Sequence, residues 1–323
     1  MSSRRAVITG IAGQDGSYLA ELLLAEGYEV VGLDRQASLD GSPNLDGLGE
    51  SVELAPFDLL DHAGTRAALL AASADEIYHL AAPTFVPDSW QDPTQTMAAI
   101  AGGTATVLAA ALAAEQRPRV WVAASSEVFG DSGESPQHEG SPTRPRSPYG
   151  VAKLAALGLI RTMREHHGLF AAAGITYNHE SPRRPPHFLP RKVTRGAAAI
   201  ALGQADEIVL GDLGAVRDWC DARDVVRAAW LALQAPEPSD YVIASGVGRT
   251  VGDLVQTALS AAGVDGTLTD HVRVDPAFVR PPEPTQLVGD PSRARALLGW
   301  EPRFSFEQMI GEMVDADLAE LRS

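Results

Sequence analysis

Residues 7–22 read VITGIAGQDGSYLAEL. A short apolar run leads into glycines at 10, 13 and 16, and SYLAELLLAEGY (17–28) follows with its apolar residues on one helical face. A buried strand, a glycine turn and an amphipathic helix, in that order, form a phosphate cradle. Glycines allow a tight turn and let the backbone approach a pyrophosphate at the helix N-terminus. Gly10, Gly13, Gln14, Asp15 and Gly16 are therefore candidate cofactor contacts; an ordinary tight strand-to-helix turn is the plain alternative.

The same rhythm continues outward. EVVGLD (29–34), VELAPFDLLD (52–61), EIYHLAA (76–82), RVWVAASS (119–126) and FAAAGITYN (170–178) read as strands. TRAALLAASA (65–74), the Ala-rich 96–116 and YGVAKLAALGLIRTMREHHG (149–168) read as helices between them. Alternation of this kind predicts an α/β fold, a doubly wound parallel sheet of Rossmann type covered on both faces.

After Asn178 the texture changes. ESPRRPPHFLPRK (180–192) is Pro-rich without strand alternation and reads as an ordered loop or a linker. IVLGDLGAVRDWCDARDVVRAAWLAL (208–233) suggests strand, turn and helix, and 272–302 is again Pro-rich with short helical signals. Pro-rich segments inside a compact chain often carry binding function. The expected organisation is a dinucleotide-binding domain from 1–177 and about 205–236. A smaller, partly interleaved C-terminal substrate domain takes about 178–204 and 237–323.

Composition narrows the partners. The 323 residues are 45% hydrophobic and 21% charged, as in soluble globular proteins. A formal net charge of -16 argues against nucleic acid and against an anionic membrane surface. The N-terminal apolar stretch is too short for a signal sequence, and no run of about 18 apolar residues appears. With a single cysteine, Cys220, no internal disulfide forms. A cytoplasmic location is expected. No His/Cys/carboxylate spacing suggests a metal site. Cys220 beside Trp219 reads as a small buried apolar residue, and His166 and His167 read as partners of a helix C-terminus.

Lysine is scarce: of 26 lysines and arginines only Lys153 and Lys192 are lysine. Lys153 lies four residues after Tyr149 in SPYGVAK (147–153), so on a helix the two share one face. An ammonium near a phenol stabilises the phenolate, which makes Tyr149 a candidate general base. Ser125, Ser126 and Glu127 close the preceding strand. Asp34 ends the second strand, where an acid binds the adenosine ribose of NAD, whereas its neighbour Arg35 suits the 2′-phosphate of NADP. Asp58, followed by Leu59, ends the third strand, where it could meet adenine or serve as a turn residue.

These residues together resemble the extended short-chain dehydrogenase/reductases that act on nucleotide sugars. The resemblance implies a hydride-transfer triad of Ser125, Tyr149 and Lys153, with Ser126 as the competing hydroxyl. Glu127 stands where dehydratases of this kind carry an acid. Longer strings, GQDGSYLAELL, SPYGVAK, NHESPRR (178–184), RK at 191–192 and RDW at 217–219, are similar to the GDP-mannose 4,6-dehydratase family over nearly the whole chain.

That resemblance implies a lyase holding tightly bound NADP or NAD, with NADP slightly favoured. It implies a GDP-hexose substrate, most directly GDP-mannose, and contacts to it from Thr84, Ser126, Asn178, Lys192, Arg217, Arg280 and Glu283. A GDP-hexose reductase or epimerase is the alternative, and a non-catalytic NAD(P)-sensing protein a more distant one. Two strings depart from the family: its Ser-His-Val is Thr84-Phe85-Val86 here, and its RRG.NF is RRPPHF (183–188). The arginine-rich segment that bridges tetramers in the family is shortened to RQASLDGSPNLDG (35–47). A homodimer is therefore expected ahead of a homotetramer.

Overall fold

The computed structural model describes residues 3–35, 42–278 and 285–323. Seven parallel strands form the main sheet: β1 (Arg5–Thr9), β2 (Glu29–Asp34), β3 (Val52–Pro56), β4 (Glu76–His79), β5 (Arg119–Ala123) and β6 (Ala171–Thr176), joined by a later strand. Three strands outside this sheet come first along the chain: β7 (Asn178–Glu180), β8 (Ile208–Leu210) and β9 (Val216–Asp221). β10 (Asp240–Ile243) then completes the order β10-β6-β5-β4-β1-β2-β3. The order reverses between β1 and β4, which opens a crevice beyond the carboxyl ends of these strands.

Both faces of the sheet are apolar, as strands buried on two sides require. Val7, Val31, Ile77, Val122 and Ala173 point to one core, and Ala6, Ile8, Val30, Tyr78 and Trp121 to the other. The covering helices begin with α1 (Gln14–Ala25) and α2 (His62–Ala72). A continuous helical stretch, Pro93–Ala113, comprises α3 (Pro93–Met97), a π turn and α4 (Gly103–Ala113). Its 18-residue window of mean hydropathy 1.6 is long and apolar enough to cross a membrane by composition, but half of it is buried inside the fold. It packs on α2 and on α5 (Pro148–His167). Ser147 caps α5 by accepting from Gly150 N, and Pro148 occupies its first turn, where no donor is needed. The helix ends in His166 and His167, before Gly168 at φ +61°.

The second lobe rests on α6 (Leu189–Ala201), whose first four residues the sequence reading places in a loop or linker and whose remainder it leaves unassigned. Pro190 sits in the first turn and costs α6 no hydrogen bond. Next come α7 (Ala222–Gln234), which covers the main sheet beside α1, and β11 (Gly248–Thr250), which pairs with β9. α8 (Val251–Ala261), α9 (Leu268–His271), β12 (Val272–Val274), α10 (Ser292–Leu298) and α11 (Phe306–Arg322) complete the chain. Val193, Leu254, Met309, Ile310 and Trp219 form the lobe's own core. The Arg191 guanidinium meets the fully buried Asp317 carboxylate at 2.7 Å and ties α6 to α11. Cys220 is buried on β9.

The strands cross the expected boundary at 237. β10 lies beyond it yet pairs with β6 in the main sheet, while β8, from the segment assigned to the first domain, pairs with β12.

Candidate active site

The carboxyl ends of β1, β2, β4 and β5 converge on the crevice. After β1, Gly10 adopts φ +75°, a region that favours glycine. A Cβ at Gly16 would lie 2.2 Å from Gly10 O and 2.6 Å from Ile11 Cα, so no larger residue fits there. Gly13 precedes the first turn of α1. Asp34, at the end of β2, accepts from Ala12 N at 3.2 Å and so braces the turn. Arg35 beside it is exposed. This backbone, with an acid at the neighbouring strand end and a helix N-terminus behind it, fits a dinucleotide pyrophosphate and ribose. Asp58 is exposed and its Oδ1 accepts from Leu60 N at 2.9 Å, as a turn residue does. Leu59 is half-buried against the core.

Ser125 follows β5 and caps the short helical turn Ser126–Val128 by accepting from Glu127 N at 3.3 Å. That turn buries Ser126 and leaves Glu127 half-exposed at the crevice. Tyr149 and Lys153 come from the first turns of α5, both on its buried face. The Lys153 ammonium lies 5.7 Å from the centre of the Tyr149 ring and donates to Ala123 O at 2.7 Å.

The electrostatics differ from the simple expectation that Lys153 brings the tyrosine toward neutrality. Burial pushes the Tyr149 phenol up to about 12, and Glu127 and Asp15 add to the rise. The Ser125 hydroxyl and the Arg184 guanidinium pull the other way. Burial also brings the Lys153 ammonium down to about 8, against the opposing pull of Asp15. Desolvation, which disfavours the charged form of each group, is the largest cause at both. His79, at the end of β4, contacts Thr9 Oγ1 at 2.9 Å; burial, aided by the Lys153 charge, pushes its pKa down to about 3 and keeps it neutral.

A second wall comes from β7 and the segment after it. His179 Nε2 pairs with Asp15 Oδ2 at 2.8 Å, while His179 Nδ1 contacts Tyr177 O at 2.7 Å. Gln14 Nε2 donates to His179 O, and Ser181 Oγ donates to Gln14 Oε1. The side chains of Gln14 and Asp15 thus face β7. Burial pushes the two pKa values of the Asp15–His179 pair toward neutral forms. The pairing overrides it: Asp15 is held below its ordinary value and His179 above.

Glu180 is fully buried, 3.0 Å from Arg184 Nε, and burial raises its pKa despite that cation. Neither Glu180 oxygen nor Arg184 Nε has a hydrogen-bond partner among the described residues, so the contact is an ion pair without a directed hydrogen bond. The roles of His179, Glu180 and Arg184 escape a reading of the sequence; the signal for the last two is their i, i+4 spacing within NHESPRR.

The proposed substrate contacts lie on separate elements. Thr84 is exposed after β4, and Asn178 is half-buried at the start of β7. The Lys192 ammonium sits over the Phe278 ring at 4.6 Å. Arg217, on β9, donates to Val216 O. Arg280 and Glu283, and residues 36–41 of the shortened arginine segment, lie outside the described residues.

A family model described as GDP-mannose 4,6 dehydratase matches residues 7–313. The chain is 39% identical to a GDP-mannose 4,6-dehydratase of Vibrio cholerae, across 100% of this chain and 96% of that protein. It is 40% identical to GDP-mannose 4,6 dehydratase 2 of Arabidopsis thaliana, across 97% and 86%. Among solved structures it is similar to a dTDP-glucose 4,6-dehydratase from Streptomyces venezuelae with NAD bound. There the TM-score is 0.83 and the identity 25%, over 97% of this chain and 96% of that one.

Proposed function

Because the chain belongs to the GDP-mannose 4,6-dehydratase family, a family of NAD(P)-dependent hydro-lyases, we propose that the crevice residues divide the dehydration of GDP-mannose among themselves as follows. NAD(P), when bound, would supply a hydride acceptor and donor for the sugar. Gly10, Gly13, Gly16 and Asp34 would hold its pyrophosphate and ribose. Tyr149 accepts the proton from the C4 hydroxyl, and Ser125 hydrogen-bonds the same oxygen. Lys153, fixed by Ala123 O, orients a ribose hydroxyl and contributes positive charge. Oxidation at C4 acidifies the C5 proton. Glu127 removes that proton and delivers it to the C6 hydroxyl, which leaves as water; when hydride is added at C6, C5 takes a proton back, which balances the one Tyr149 took from O4.

The observation that carries this assignment is Glu127 itself. It shares a turn with Ser125 and lies near enough to Tyr149 to raise the phenol's proton affinity. An acid so placed serves a reaction that must move a proton at C5 as well as at O4. Thr84, Ser126, Asn178, Lys192 and Arg217 take the nucleotide sugar, with 178–204 and the late segments forming its side of the cleft, β10 apart. A cytoplasmic homodimer completes the reading, to be checked by light scattering in solution. The test of function is incubation with GDP-mannose and no added reductant. Loss of one water supports the assignment; dependence on external NAD(P)H, or epimerisation without water loss, overturns it.

A further inference from the structure

Three arginines gather at a place the proposed chemistry does not use. Arg227, midway along α7, and Arg295, in the last turn of α10, line a hollow of about 340 Å³ with Gly299, Glu301, Pro302 and Arg303. The hollow lies on the helix layer, between α7 and the chain that joins α10 to α11, whereas the crevice lies at the carboxyl ends of the strands. In a chain of net charge -16, three convergent cations need a reason. None of them forms a salt bridge among the described residues, although Arg223, one turn before Arg227, pairs with both Asp221 and Glu312.

The arginines are also held in place. Trp300 is fully buried, and its Nε1 donates to Asp224 O at 2.8 Å. Asp224 Oδ2 accepts from Arg303 N at 2.8 Å and from Phe304 N at 3.1 Å. These bonds fix the segment that carries Arg303 onto α7. Arg227 donates to the Glu301 backbone carbonyl, and its Nε is buried without a hydrogen-bond partner among the described residues. The acids acting on the arginines are Asp224, which faces Arg227 without bonding to it, and Asp290, which feels Arg295. Glu301, exposed, is the acid in the lining. Arg227 and Arg303 therefore repel each other across the hollow with incomplete compensation.

From this geometry we infer that Arg227, Arg295 and Arg303 form a binding site for the phosphate group of a small molecule. A phosphate carries enough charge and enough acceptor oxygens to answer several guanidinium forks at once, whereas a carboxylate is satisfied by one. A frame fixed before binding lowers the ordering cost that such a ligand would otherwise meet. The inference does not depend on the dehydration.

The test titrates inorganic pyrophosphate into the whole enzyme with its cofactor retained, by calorimetry at low salt, where exposed charges are least screened. R227Q/R303Q should weaken the binding shown by wild type by at least about 10-fold, the loss of one or more charge-assisted hydrogen bonds. Arg227 is partly buried, so R295Q/R303Q, which alters two exposed side chains, carries the same prediction if the first variant folds poorly. K192Q/R217Q removes two cations proposed for the crevice and should leave binding at the hollow intact. Absence of binding, or its loss in K192Q/R217Q with R295Q/R303Q unchanged, would overturn the inference. So would an equal loss in R66Q, which removes an exposed arginine elsewhere and would show diffuse charge rather than a site.

Discussion

The cleft has two walls built by different means. On the wall from the main sheet, regular backbone does the positioning: strand ends present Asp34, His79 and Ser125, and one helix face presents Tyr149 and Lys153. On the wall from 177–192, side chains hold one another. Asp15 pairs with His179, Glu180 with Arg184, and Arg184 stacks on Phe188. The first wall tolerates changes that respect backbone geometry. The second depends on buried charges, each of which is costly if its partner is lost.

The sharpest break to the first wall is chemical. Tyr149→Phe or Glu127→Gln should each lower turnover about 10²- to 10⁴-fold with the fold intact, read as the rate of water loss by mass analysis. They should differ in kind: Tyr149→Phe stops C4 oxidation, while Glu127→Gln permits it and stalls before elimination. Equal behaviour of the two in cofactor reduction would merge their roles.

Lys153→Arg should preserve the circular dichroism spectrum and reduce hydride transfer by about 10-fold or more. The larger fork cannot reproduce a compact ammonium held 2.7 Å from Ala123 O. Full retained activity would remove Lys153 from the site.

Gly16→Ala probes the backbone of the same wall. Its Cβ would fall 2.2 Å from Gly10 O, so the turn must shift. About 1–3 kcal/mol of stability should be lost, together with bound nucleotide. A thermal melt and the nucleotide released on denaturation measure the two effects, and the second also identifies NAD or NADP.

The smallest expected effect tests the second wall through pH. His179 has a raised pKa, so its stabilisation is complete below its ordinary value of 6.5 and is lost as pH rises through the folded value. Asp15 has a lowered pKa, so its contribution is present above its ordinary value of 3.8 and is lost as pH falls through the folded value. The Tm difference between wild type and D15N/H179Q should therefore peak between those two ordinary values and shrink on either side. A difference independent of pH would mean that the pair is not ionised.

The two walls also differ in how far they can be read without a structure. Strand–turn–helix periodicity and the spacing of Tyr149 and Lys153 are local, so the sheet and the shared helix face of those two residues are legible in the sequence. The other wall joins residue 15 to 179 and residue 191 to 317, and no local period reports such contacts. α6 is concealed because Pro190 looks like a helix breaker although it lies in a first turn that tolerates it. β8 and β10, three and four residues long, are too short to show alternation, so their sheets cannot be assigned from sequence. Local spacing also misjudges the tyrosine: it brings the ammonium close, but only burial explains why the phenol is pushed up to about 12.

The central claim is that one site oxidises C4, eliminates water across C5 and C6, and returns the same hydride. Incubating the enzyme with GDP-mannose deuterated at C4, without external reductant, tests it most directly. The account predicts a product lighter by one water that carries the deuterium at C6, with product formation abolished by Glu127→Gln. Deuterium lost to solvent or retained at C4, or water loss that survives Glu127→Gln undiminished, would contradict it.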